Sequence, residues 1–209
     1  EKAKELRITF QNAKLLLGEW ILKRQKRKHA IPKTIQKLRS DLNLEILPKR
    51  IEAFDVSHLS GKNIVGSMVC FVNTKPKKSE YRKYKIKSVE DNNDFASIQE
   101  IVLRRYTRVV KESSTLPDLI LIDGGKGQLS AAGSSLKQLG LGHIPIIGLA
   151  KRLEEIYVPG IKDPQTIDKQ SPGLILLRKI RDEAHRFAIT FQRQKRNSSL
   201  VSSPFEKIS

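Results

Sequence analysis

Four consecutive apolar residues, Leu119–Ile120–Leu121–Ile122, run without a polar break into Asp123 and then Gly124–Gly125. A run this short and this apolar reads as a strand buried on both faces. Such a strand needs helices on each side of its sheet, which puts the chain in the α/β class. The acid at its end is costly to bury unless something compensates its charge. The end of this strand is therefore where chemistry is to be sought.

The remaining elements fit around it. Ile51–Val56 and Ile64–Val72 are β-rich runs separated by the polar turn Ser60–Gly61–Lys62–Asn63, and Tyr81–Lys87 alternates apolar with basic residues. Together they predict a three-stranded antiparallel meander. Asp94 reads as the N-cap of a helix to about Lys111, with Phe95, Ile98, Ile101, Val102 and Arg105–Tyr106 at helical spacing. After the 119–122 strand come a helix over 126–139, a strand over Pro145–Leu149, and a hairpin-like stretch through Tyr157. An irregular loop over 160–171 and a last helix from Pro172 to about Arg193 follow. The order βββαβαβ plus a terminal helix predicts a mixed sheet flanked by helices, which is the element order of the ribonuclease H fold.

Forty Lys and Arg stand against 22 acids, a net charge of +18, and point to a polyanionic partner. Residues 1–50 hold 14 of those cations and only 5 acids. Leu6, Phe10, Ala13, Leu17 and Trp20–Ile21 recur at helical spacing, so 1–28 reads as an amphipathic helix ending in the basic run Lys23–Lys28. Ile35, Leu38 and Leu42 suggest a second, short helix between Pro32 and Pro48. We therefore divide the chain into a basic helical lead-in over 1–47, a domain over 48–195 and a polar tail over 196–209. A charged helical face is as readily solvated as bound to DNA. Cys70, the single cysteine, lies in an apolar run and reads as core, with no disulfide or thiolate site. That composition suits a reducing compartment, and the expected location is cytoplasmic. No run approaches the roughly 20 apolar residues of a membrane helix.

Two strands end on acids: Asp55 follows Ile51–Phe54, and Asp123 follows Leu119–Ile122. In a mixed sheet the first and fourth strands can be neighbours, which would join the two carboxylates. Close carboxylates repel unless a cation neutralises them, and a hard divalent ion does so with oxygen ligands. Asp123 before two glycines reads equally as a turn residue. On the last helix His185 lies on the shoulder of the stripe Leu177, Ile180, Ala184, Phe187, Ala188 and Phe191. Spacing alone leaves it between ligand and structural group, with Asp182 and Glu183 as rivals. Gly124–Gly125–Lys126–Gly127–Gln128 lacks the spacing of a nucleotide-binding P-loop, but its amides and Lys126 suit a DNA phosphate. Arg104, Arg105, Lys151, Arg152, Arg181 and Arg186 are further candidates for phosphate contacts.

Four ordered stretches carry a resemblance: Phe54-Asp55-Val56-Ser57-His58, Asp94-Phe95-Ala96-Ser97, Leu116–Gln128 and Ile180–Ala188. They resemble the UvrC family of bacterial nucleotide-excision-repair endonuclease subunits, over about 48–195. The resemblance implies a ribonuclease-H-like endonuclease domain that incises damaged double-stranded DNA 5′ to a lesion. It implies Asp55, Asp123 and His185 as metal-binding catalytic residues, Asp94 as a supporting one, and Mg²⁺ or Mn²⁺ as the ion. It further implies UvrB as a partner through a region preceding residue 1, UvrA indirectly, and a helix-hairpin-helix module beyond Ser209. Two other readings of the fold are a non-catalytic nucleic-acid-binding module and a ribonuclease-H-like resolvase or RNA nuclease.

Overall fold

The computed structural model describes residues 31–59, 63–86, 93–151 and 154–201. The expected amphipathic helix over 1–28, the turn at 60–62 and Arg152 lie outside these. Four helices and seven strands are described: α1 (Lys33–Asp41), β1 (Arg50–Leu59), β2 (Asn63–Val72), β3 (Lys75–Pro76), β4 (Arg82–Lys85), α2 (Asp94–Lys111), β5 (Leu119–Asp123), α3 (Lys126–Gln138), β6 (Ile146–Leu149), β7 (Ile156–Tyr157) and α4 (Pro172–Val201).

The strands form one mixed sheet in the order β3-β2-β1-β5-β6-β7, with β4 also on β2. The meander pairs β1 with β2 antiparallel from Arg50↔Val72 to Leu59↔Asn63. The third strand of the meander comes in two pieces. β3 takes Phe71 and Val72, β4 takes Val65–Met68, and a 3-10 turn at Lys78–Glu80 bridges them along the same edge. β5 then lies parallel to β1, with Ile51↔Leu119 and Phe54↔Ile122 as the outer pairs. Leu119–Ile122 are fully buried in the middle of the sheet, as their uninterrupted apolar character requires.

Helices cover both faces. On one, α2 and α3 pack together and bury Ile98, Ile101, Val102, Tyr106, Leu129, Ala132 and Leu136 against Phe54, Met68, Ile120 and Ile122. Each such aliphatic side chain removed from water contributes about 1.5–3 kcal/mol, which is what holds these helices down. Gly66 lets α2 approach β2 closely: a Cβ there would lie 2.8 Å from Ile101 Cγ2. On the other face α4 buries Leu174, Leu177, Ile180, Ala184 and Ala188. It packs on β1, β2 and β5, and Ser67 Oγ on β2 donates to the Ala184 carbonyl at 2.9 Å. α1 packs along the start of α4, with Ile35 and Leu38 buried and Ser171 donating to Asp41.

Two boundaries differ from expectation. The cap of α2 is Asn93, whose side chain accepts from the Ala96 amide at 3.1 Å, and Asp94 is the first helical residue. The last helix continues past Arg193 to Val201, because 194–201 contains no proline or glycine and is largely built of residues that tolerate a helix.

Candidate metal centre

The strand pairing decides where the two acids meet. Parallel pairing of Phe54 with Ile122 leaves Asp55 and Asp123 next in line at the carboxyl ends of adjacent central strands. Alternation on β1 sends Glu52 and Phe54 toward α2 and turns Asp55 and Ser57 toward α4. Asp55 faces Ser67 across the antiparallel ladder, and Ser67 reaches Ala184. The next residue of α4 is His185, whose Nδ1 lies 3.2 Å from Asp55 Oδ2. Potential ligand atoms of Asp55, Asp123 and His185 all lie within 4.8 Å of one another.

Burial makes this cluster costly. Asp55 is only 4% exposed and is held by Ser57 Oγ, which donates to its Oδ2 at 3.0 Å. The Asp123 carboxyl is pushed up to about 6, first by burial and then by the neighbouring Asp55 charge. The positive charges of Arg181 and Lys151 work against that rise. A buried carboxyl whose proton affinity is raised by burial and a neighbouring carboxylate marks a site a divalent cation would relieve, and carboxylate oxygen plus imidazole nitrogen suits such an ion.

The other candidates fall on different parts of the molecule. Asp94 stands in the first turn of α2 and is not one of the three clustered ligands. Arg105 is corrected from a phosphate contact to a structural cation. It is 8% exposed, and its Nε and Nη2 donate to Glu52 at 3.1 and 2.8 Å. The fully buried Glu52 also accepts from Arg50 at 2.7 Å and from the Tyr106 hydroxyl at 3.1 Å. Arg104 is exposed, paired with Glu100 at 2.7 Å and donating to the Lys85 carbonyl at 2.8 Å. Lys126 opens α3 three residues after Asp123, and Lys151 is exposed two residues after β6. Arg186 is exposed and paired with Glu183. Arg181 is 7% exposed and lies beneath the surface.

Sequence reasoning missed Ser57 as the partner of Asp55. The signal was available, since residues two apart on a strand share a face. A second group, Glu52, Cys70 and Glu80, also has the spacing of metal ligands. Its charge is met by Arg50 and Arg105 instead, and burial pushes the Cys70 thiol up to about 11, so it stays protonated.

A sheet of this topology with helices on both faces and clustered acids at its central strand ends is the architecture of ribonuclease-H-like nucleases. Residues 39–189 match the family described as the UvrC RNase H endonuclease domain, and the chain belongs to that family. It is 49% identical over 207 residues to UvrABC system protein C of Salinibacter ruber, covering 97% of this chain and 33% of that protein. It is 53% identical over 169 residues to UvrABC system protein C of Methanosarcina barkeri, covering 81% of this chain and 32% of that one. The chain thus spans about a third of these relatives. A solved structure of Ciona intestinalis endonuclease V in complex with a 24mer DNA containing an inosine is similar at a TM-score of 0.40 and 21% identity, over 70% of this chain and 63% of that chain. No helix among the described residues is long and apolar enough to cross a membrane.

Proposed function

We propose that this domain makes the incision 5′ to a lesion in nucleotide excision repair, using Mg²⁺ or Mn²⁺ held by Asp55, Asp123 and His185. The observation that carries the reading is the meeting of three side chains from β1, β5 and α4 within 4.8 Å at one end of the sheet. A bound ion polarises a phosphate ester and makes its water more acidic.

The chain's own residues supply the rest. Ser57 holds Asp55 oriented by a hydrogen bond to Oδ2. With its Nδ1–H donated to Asp55, His185 keeps the Nε2 lone pair for a ligand or a proton. Lys126, Lys151, Arg186 and Arg104 are exposed or part-exposed cations that hold the DNA backbone without reading bases. Sequence-independent contacts suit an enzyme that cuts wherever damage lies. Choice of lesion then falls to partners, which by resemblance are UvrB directly and UvrA indirectly. Asp94 supports the site from the first turn of α2.

Nicking of lesion-containing duplex by the reconstituted UvrABC system tests the reading. Asp55→Asn and Asp123→Asn are expected to abolish the 5′ cut while leaving assembly on DNA intact. Wild-type incision by either variant overturns the assignment.

A further inference from the structure

Arg181 presents a problem of charge. It is 7% exposed, and its Nη1 is buried with no hydrogen-bond partner. Buried guanidinium nitrogens without partners are uncommon because losing water costs them free energy. Among the described residues its hydrogen-bond partner is the neighbouring Asp182, at 3.1 Å from Nε and 3.0 Å from Nη2. The Asp182 side chain is 66% exposed, so water screens it and little of the guanidinium charge is cancelled. One turn further along α4, on the same side, stands His185. His185 in turn offers a ligand atom within 4.8 Å of those of Asp55 and Asp123, so a buried guanidinium sits one helical turn from a member of that cluster.

Resting on the nuclease reading above, we propose that Arg181 is a positioning residue that acts as a fixed counter-cation to the Asp55–Asp123 pair. It weakens ion binding in order to leave the loaded site positive toward a phosphate. The charges follow simply. Two carboxylates and a neutral imidazole would be cancelled by one divalent ion, and the site would present no net charge to DNA. Arg181 adds one positive charge from within the protein, so the loaded site carries a surplus. Lys151 adds to it from the surface, and Asp182 subtracts little because it is solvated. Because Nη1 is buried, Arg181 does not touch the phosphate itself and works through the field at the site.

The test is Mn²⁺ affinity of the full chain, measured by electron paramagnetic resonance at pH 8. Arg181→Met is expected to bind Mn²⁺ about tenfold more tightly than wild type, since a like charge has been removed at close range. Arg181→Lys keeps the charge and is expected to stay near wild type. If Arg181→Met does not fold, Arg181→Gln is compared with Arg181→Lys instead. Unchanged or weaker binding in the neutral variant overturns the inference. Asp123→Asn runs alongside: if it binds Mn²⁺ as wild type does, the metal-site reading itself fails. Loss in Asp123→Asn with no gain in Arg181→Met fails this inference alone.

Discussion

His185 Nδ1 and Asp55 Oδ2 stand 3.2 Å apart although 130 residues separate them in the chain. One rides on a helix that covers the sheet, the other on its central strand. The contact therefore exists only when α4 is seated, and it couples site geometry to the packing of Ile180, Ala184 and Ala188 beneath it. Replacing Ala184 by Leu, against β1 and β2, is expected to displace His185. Overpacking of that kind costs about 1–3 kcal/mol. Mn²⁺ affinity should fall along with the melting temperature.

Asp123 makes the metal-free domain sensitive to pH. A carboxyl raised from 3.8 to about 6 on folding binds a proton more tightly in the folded state. Its contribution is fully present below the unfolded value and is lost as pH rises through about 6. The penalty at neutral pH is about 3 kcal/mol. Melting in chelator should show Asp123→Asn more stable than wild type at pH 7.5, with the gap closing toward pH 4. Saturating Mn²⁺ should reverse the order, stabilising wild type and not the variant.

Ser57→Ala removes the hydrogen bond that orients Asp55. Bonds to charged groups contribute about 1.5–3 kcal/mol, so ion affinity should drop about tenfold or more. Circular dichroism should stay that of wild type. An unchanged Mn²⁺ titration would mean that the His185 contact is enough to hold Asp55 without Ser57.

Arg105 and Lys151 should separate cleanly in their effects. Losing Arg105 leaves Glu52 buried with a weakened set of partners, so Arg105→Gln should cost about 3–5 kcal/mol of stability. Lys151→Gln should leave stability alone and lower the slope of DNA affinity against salt by about one phosphate contact. Chemical denaturation and a salt series on duplex binding measure the two.

Much of this was readable in the chain. The buried strand Leu119–Ile122 announced itself through unbroken apolarity, and its acid through position. The strand-end pair followed once β1 and β5 were neighbours. His185 was a different matter. Helical spacing put it on the shoulder of a stripe, and only the crossing of α4 over β1 decides which shoulder residue meets Asp55. Asn93 and Asp94 are both competent caps, and backbone geometry chose the first. Arg104 and Arg105 sit about 100° apart on a helix, so one faces solvent and the other the sheet. Arg105 follows Ile101 by four residues and shares its buried face, yet its partner Glu52 is 53 residues away and has no local signature.

The burial of Cys70 has a practical reach beyond packing. It is the chain's single thiol, fully enclosed in β2 and protonated well above neutral pH. A thiol-selective alkylating reagent will therefore not reach Cys70 until the sheet itself parts. The molecule carries its own clock for that opening, and labelling rates read against those of an unfolded chain give the free energy of breaching the strand beside β1. Because β1 also bears Asp55, the same clock should slow whenever an ion clamps the site.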